Sequence, residues 1–153
     1  MEQFFADYLQ SLHTLSADFQ AAIAGLPAEA LDWVPGSEIN SLCVLAVHTT
    51  AAARFWIGDV ALGEDSGRDR EAEFKAHGLT AADLAAHFTA LEDYVRAALP
   101  RITLAGLSAL RQVPNRDMTA TVGSALLHAL EHTGLHLGHA QLMRQLWDQR
   151  LTR

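Results

Sequence analysis

Hydrophobic residues recur every three or four positions in long stretches of the chain, which is the spacing of one buried helical face. In the first stretch this spacing predicts a helix from Phe5 to Leu26. After a loop marked by prolines and a glycine, a second helix is predicted from Ile39 or Asn40 to about Gly63. A glycine at that position suits a C-terminal helix cap.

The second half of the chain predicts two further helices with long connections. The segment 64–79 is charged and lacks a clear period, so we expect a connector with at most one helical turn. Thr80 can cap a third helix that ends near Pro100, and a fourth helix is predicted from about Thr119 to Gln149. No alternation is long enough to predict a strand. We therefore predict an all-α fold, a four-helix bundle with two long connections.

Length and composition indicate a single helical domain over residues 1–153. The chain has a mass of 16.6 kDa, and half of its residues are hydrophobic, which is typical of a globular protein. No uncharged apolar run is long enough to span a bilayer, and the N-terminus lacks the basic start of a signal peptide. We therefore expect a cytoplasmic protein that does not associate with a membrane.

Charge and cysteine content exclude further classes. The net charge of -7, with eleven Lys and Arg residues, argues against nucleic-acid binding, which depends on neutralising phosphates. The single cysteine, Cys43, cannot form an intramolecular disulfide, and we expect a buried structural thiol there.

The predicted fourth helix carries four histidines in the segment "HALEHTGLHLGH", at positions 128, 132, 136 and 139. At about 100° per residue, His128 and His139 share a narrow sector with the leucines at 135, 142 and 146, and His132 and His136 lie at its edge. We expect this face to point into the core. His132 and His136 are one helical turn apart, close enough to bind one metal ion together.

A third metal ligand is predicted on the second helix. His48 shares a face there with Val44, Ala52 and Phe55, which should point inward. A histidine on such a face can instead be a hydrogen-bonded core residue, so the metal interpretation depends on the three histidines together. His13, His77 and His87 have no partner at chelating spacing.

Other residues are candidates for supporting the ligands. His128 and His139 would hydrogen-bond to them or line the pocket, and Glu131 is a candidate for the same role or simply an exposed charge. Gly134 and Gly138, one turn apart, predict close approach of another helix and, with apolar residues outside one stripe, a homodimer.

The absent motifs narrow the chemistry. "HTGLH" has no glutamate after its first histidine, so it is not the H-E-x-x-H motif that supplies a general base. The chain also has no paired C-x-x-C and no glycine-rich phosphate loop. The remaining candidate is a site made of a metal ion and a cavity, without an obvious protein side chain that would serve as a general base.

The segments "LAVHTTAAARFW" and "LLHALEHTGLHLGHAQLMRQLW", with the helix entry "LDWVPGSEINS", resemble the DinB/YfiT-like superfamily of four-helix, three-histidine metalloproteins. The resemblance covers almost the whole chain and implies His48, His132 and His136 as the metal ligands. Members often have glutamine where this chain has His139, so the surroundings of the ligands differ here.

This resemblance implies a divalent-metal-dependent enzyme that acts on a small molecule. The superfamily includes transferases and isomerases that use mycothiol, bacillithiol or glutathione, metal-dependent hydrolases, and members without known activity. Because a metal can deprotonate a thiol without a protein base, we favour a thiol-dependent transferase with a low-molecular-weight thiol as cosubstrate. A metal-dependent hydrolase and a non-catalytic metal-binding or stress-associated protein are the alternatives. Three imidazoles suit zinc, nickel, iron or copper.

Overall fold

The computed structural model describes residues 1–150, so the last three residues of the predicted domain, 151–153, lie outside it. Its helices are α1 (Gln3–Ile23), α2 (Ala28–Asp32), α3 (Leu42–Arg54), α4 (Arg70–Glu73), α5 (Ala81–Ala98) and α6 (Val122–Arg150). Helices α1 and α3 each pack against both α5 and α6, which closes the predicted all-α bundle. None of the described helices is long and apolar enough to cross a membrane.

The helix caps follow the sequence signals closely. The Ser41 hydroxyl accepts a hydrogen bond from the Val44 N–H at 3.1 Å, so α3 begins two or three residues later than predicted. Thr80 and Asp83 form a capping box at the start of α5, which confirms that predicted cap. Gly63 adopts a left-handed conformation with φ of 71° and ends the second long helix where predicted.

The last two turns of that helix, Phe55–Leu62, are π-helical. Gly58 lies inside this segment, and a Cβ there would lie 1.7 Å from Nη1 of Arg54 and 2.6 Å from the Tyr94 hydroxyl. The Arg54 guanidinium stacks on the Tyr94 ring at 3.7 Å and pairs with Glu64 at 2.8 Å. The missing side chain at Gly58 therefore lets an arginine cross the helix surface.

The second connection contains a short hairpin that the sequence did not predict. Strands β1 (Leu110–Gln112) and β2 (Thr119–Thr121) pair antiparallel, with Arg111 opposite Ala120. The fourth helix begins three residues after its predicted start at about Thr119, because β2 occupies residues 119–121. The Thr121 hydroxyl then accepts from the Ser124 N–H at 3.0 Å, and α6 begins at Val122.

The predicted orientation of α6 was wrong. Leu135 and Leu142 are 56% and 53% exposed, so the face that they share with His128 and His139 points outward. The buried face carries many small residues, which let neighbouring helices approach closely: Val122, Ala125, Leu126, Ala129, Thr133, Leu137, Ala140, Met143 and Trp147. Within residues 1–150 no neighbouring helix approaches the glycines closely: a Cβ added at Gly134 would lie 3.9 Å from the Leu15 side chain, and one added at Gly138 would have nothing within 4 Å.

The core is divided into two apolar clusters along the bundle. One surrounds the π-helical segment and the start of α6, and the other lies between the start of α3 and the end of α6. Cys43 is fully buried in the second cluster, as predicted. Between the clusters lies a layer of buried polar residues: Ser16, His48, Thr49 and Thr133. The histidines of α3 and α6 meet at this level.

Candidate metal centre

Three histidines from two helices converge at the polar layer. His48 of α3 and His132 and His136 of α6 each offer one ring nitrogen, and these three atoms lie within 4.8 Å of one another. The ring centroid of His48 lies 5.0 Å from that of His132 and 5.2 Å from that of His136. The three residues singled out from the sequence are therefore brought together, and they could hold a metal ion.

The two α6 histidines have the spacing that a shared ion requires. Their Nε2 atoms are 3.1 Å apart, which positions one helical turn apart make possible. Two nitrogens bound to zinc at about 2.0–2.1 Å lie roughly 2.9 Å apart at a right angle and roughly 3.4 Å apart at the tetrahedral angle. The observed separation falls between these values, so the pair fits a divalent transition metal.

A buried carboxylate fixes the orientation of His48. Its Nδ1 lies 2.7 Å from Oε2 of Glu73, and both side chains are nearly inaccessible to solvent. Since an ionised carboxylate only accepts, Nδ1 carries the proton and donates it in this bond. The Nε2 lone pair of His48 is then free for the cluster, as in many metal sites where a carboxylate holds the ligating imidazole.

Glu73 is in turn held by Arg68. The Arg68 guanidinium donates two hydrogen bonds, from Nε to Oε1 at 2.5 Å and from Nη2 to Oε2 at 2.8 Å. Burial alone would raise the pKa of Glu73, but the hydrogen bonds from Arg68 and His48 outweigh it and lower that pKa below its usual 4.5. The carboxylate is therefore ionised near neutral pH and fully engaged by its two partners.

The two α6 histidines are neutral in the folded chain. Burial and the neighbouring imidazoles of His136 and His48 lower the pKa of His132 from 6.5 to about 3. Burial and the neighbouring imidazoles of His48 and His139 lower the pKa of His136 to about 4. Neutral imidazoles are the form that coordinates metals, so the site is prepared for a cation without first losing protons.

The remaining candidates from α6 lie around this cluster in different ways. His139 is exposed, with its Nδ1 3.4 Å from Nδ1 of His136. The His128 ring lies 4.3 Å from the Trp56 ring and 5.8 Å from that of His132, measured between centroids. Glu131 is exposed, and within residues 1–150 no hydrogen bond joins it to a histidine.

The other histidines lie in separate interactions. His13 pairs with Glu92 across α1 and α5 at 2.9 Å, and His77 bonds to the Lys75 carbonyl at 2.9 Å. His87 lines a shallow surface pocket beside Arg54. Their separation from the cluster agrees with the prediction that they lack chelating partners.

Sequence reasoning missed Glu73, Arg68 and Phe74. All three belong to the charged connector, where no hydrophobic period predicts which side chains turn inward. The Phe74 ring covers His48 at 4.7 Å between centroids. The usable signal was Asp69, whose carboxylate accepts from the Ala72 N–H at 3.0 Å and starts α4, the helix that buries Glu73.

Two cavities of different character flank the centre. A cleft of about 700 Å³ runs between the connector and the hairpin loop, and its lining includes Arg68, the residue that holds Glu73. A smaller groove of about 250 Å³ borders His139, and its lining is mainly apolar, with Leu45, Leu142 and Met143 contributing. Each cavity therefore borders a residue next to the cluster, Arg68 on the polar side and His139 on the apolar side.

The helical bundle and its three convergent histidines place this chain among all-helical proteins with a candidate metal centre. The chain matches the mycothiol-S-transferase family over residues 7–149 and belongs to this family, which is DinB/YfiT-like. No curated protein matches the chain significantly. Among solved structures, the chain is similar to a conserved protein from Enterococcus faecalis, with a TM-score of 0.78 and 18% identity. The alignment covers 95% of this chain and 98% of the other, and it establishes the shared fold.

Proposed function

We propose that the protein is a divalent-metal-dependent S-transferase that joins a low-molecular-weight thiol to a small electrophilic molecule. The observation that carries this proposal is the convergence of His48, His132 and His136 in a chain of the mycothiol-S-transferase family. These three residues would hold the metal. A bound divalent ion would supply a Lewis acid that lowers the pKa of a coordinated thiol or water.

The chain's own residues position this centre. Glu73 holds the Nδ1 proton of His48, which keeps the Nε2 lone pair directed at the cluster. Arg68 anchors Glu73, and Phe74 covers the His48 ring and shields it from water. Each of these contacts restricts the rotation of an imidazole, so little reordering is needed when the ion binds.

Glu73 is poorly placed to act as a general base. It contacts His48, and its oxygens already accept hydrogen bonds from Arg68 and His48. Protonation would break these bonds in a buried position, at a cost in stability. A thiol suits such a centre because its proton can leave to solvent once its pKa is lowered.

The proposed reaction balances without an oxidant or reductant. A lone pair of the thiolate sulfur forms a new bond to the electrophilic carbon. The bond between that carbon and the leaving group breaks, and the leaving group retains the electron pair. The thiol proton and the leaving group are released, and the product is a thioether.

Elemental analysis of protein purified without a histidine tag tests the metal directly. We expect about one divalent transition-metal ion per chain, and His48→Ala, His132→Ala and His136→Ala should each bind zinc far more weakly. His13→Ala and His77→Ala are matched controls, because these histidines lie in other contacts, and they should retain parental affinity. Absence of metal even after reconstitution would refute the proposal.

A substrate panel tests the reaction. The zinc- or nickel-loaded protein is incubated with mycothiol, bacillithiol, glutathione or N-acetylcysteine and an electrophilic acceptor, and thioether formation is followed by mass spectrometry. We expect turnover that disappears in His132→Ala and persists in His13→Ala. Hydrolysis of a test ester or amide, with no thioether formed from any thiol, would refute the transferase proposal and favour a metal-dependent hydrolase.

A further inference from the structure

Two arginines in the polar cleft have no acidic partner among the residues that the structure describes. Arg70 follows the N-cap of α4, and Arg116 lies in the loop between β1 and β2. Both line the cleft of about 700 Å³ whose lining also includes Arg68, the residue that holds Glu73. Within residues 1–150, neither guanidinium forms an ion pair with a carboxylate. Their charges are therefore available to a ligand.

Each of these arginines lies on an aromatic ring that contacts the histidines. The Arg70 guanidinium lies 4.8 Å from the centre of the Phe74 ring, which packs against His48. The Arg116 guanidinium lies 5.8 Å from the centre of the Trp56 ring, which contacts His128. Stacking of this kind leaves the edge of a guanidinium free to bind a carboxylate. One aromatic ring therefore lies between each guanidinium and a histidine of the bundle.

The acidic residues of the cleft are largely neutralised by other contacts. Asp59 is buried and accepts two hydrogen bonds from Ser66. Glu64 accepts from Arg101, Arg54 and Tyr94, which lower its pKa below 4.5. Asp65 is exposed and accepts from the Gly67 N–H. Asp59 and Glu64 are therefore engaged by other residues, and Asp65 is the one cleft carboxylate for which the described residues show no cationic partner, against the two arginines.

We infer that this cleft binds the carboxylate of a small-molecule reactant, with Arg70 and Arg116 as the residues that recognise it. The volume is that of a small-ligand site, and the cleft borders the centre through Arg68, which bonds the Glu73 carboxylate that holds His48. The inference rests on the proposed function in that the bound molecule is one of the two reactants. The carboxylate can belong to the thiol or to the electrophile, and both sources present the same chemistry to the arginines.

Equilibrium binding of unreactive probes to the zinc-loaded protein tests the inference without turnover. S-methyl-N-acetylcysteine and its neutral amide represent the thiol, and succinate and its dimethyl ester represent the electrophile. We expect at least one acid to bind at least about tenfold more tightly than its neutral counterpart, as measured by calorimetry or NMR titration. The arm that shows this preference identifies the reactant that carries the carboxylate.

Variants assign the preference to the arginines. Arg70→Gln and Arg116→Gln should each weaken binding of that acid by about fivefold or more and leave the neutral probe unchanged. Arg96→Gln removes the same charge from an exposed position of α5 outside the cleft and should have no effect. All three side chains are exposed, so circular dichroism should show a retained fold.

Several outcomes would overturn the inference. Equal affinity for acid and neutral probe in both arms would do so, as would an acid preference that survives both arginine replacements. An acid preference that disappears when zinc is removed, but not in the arginine variants, would place the carboxylate on the metal. If the parent binds an acid through the arginines but forms no thioether with any thiol, the transferase proposal fails and the anion site stands.

Discussion

His48 and Glu73, which lie 25 positions apart in the chain, are joined by a hydrogen bond of 2.7 Å between Nδ1 and Oε2. The bond links α3 to the four-residue helix α4, so a connector without hydrophobic periodicity takes part in the metal centre. Arg68, from the same connector, completes the arrangement by holding both oxygens of Glu73. The connector thereby determines which nitrogen of His48 is free for the metal.

Replacing Glu73 with glutamine should weaken zinc binding while the three histidines remain. The neutral amide accepts a weaker hydrogen bond from His48 and no longer pairs with Arg68, so the imidazole is held less firmly. We expect a loss of about 10–100-fold in affinity, measured by competition with a chromophoric chelator. Glu71→Gln is the matched control, because this neighbouring side chain is 89% exposed and pairs with Lys75. Unchanged affinity in the Glu73 variant would show that this contact does not support the metal ligands.

The sequence predicted the histidine cluster but not its supports. Spacing of one helical turn placed His132 beside His136, and the face of the second helix added His48. The buried face of α6 was nevertheless predicted wrongly. Leu135 and Leu142 were expected in the core, whereas small residues occupy the face that packs most closely. A half-buried site at the edge of the core can be found from periodicity even when the buried side is misassigned.

Other features carried too little local signal to be predicted. The strands of the hairpin have three residues each, which is shorter than any alternation that can be distinguished from chance. Glu73 becomes buried through two long-range partners, His48 and Arg68, rather than through a pattern of its own. Helix caps such as Thr80 were predictable because their physics is confined to a few neighbouring residues.

Gly58→Ala should destabilise the bundle. The new methyl group would overlap the Arg54 guanidinium, which stacks on Tyr94 and pairs with Glu64, so this network must move. We expect a decrease of about 1–3 kcal/mol in the free energy of unfolding, measured by urea denaturation. Gly138→Ala offers a control of opposite sign, because its site in α6 is open and alanine favours a helix by about 1 kcal/mol. Equal stability of the Gly58 variant and the parent would contradict this role of the glycine.

The exposed leucines of α6 predict self-association. Leu127, Leu135 and Leu142 recur at seven- or eight-residue spacing and are each more than half exposed, so they form an apolar stripe on one face. A second copy of the chain can cover this stripe, and we expect light scattering at micromolar concentration to report a dimer. Leu135→Glu should shift the protein to the monomer. A parent protein that shows only a 16.6 kDa species would refute the dimer.

The metal-free protein should lose stability as pH falls from about 6.5 towards 4. Burial and neighbouring imidazoles lower the pKa of His132 to about 3 and that of His136 to about 4, whereas both titrate near 6.5 in the unfolded chain. In this interval the unfolded state binds more protons than the folded state, so protonation favours unfolding. At pH values well above 6.5 both states are neutral at these positions, and this contribution to the pH dependence vanishes. Urea denaturation of metal-free protein between pH 7 and 4.5 measures the effect.

A double variant separates this effect from general acid destabilisation. Replacing His132 and His136 with glutamine removes both titrating groups and keeps polar side chains of similar size, so the decrease in stability between pH 7 and 5 should be smaller. Glu73 does not interfere in this window, because hydrogen bonds from Arg68 and His48 keep its pKa below 4.5 and the stability it contributes is lost only at lower pH. His77→Gln should follow the parent, since that histidine is exposed and bonds to the Lys75 carbonyl rather than to the cluster. Parallel curves for the double variant and the parent would show that the two α6 histidines are not held neutral by the fold.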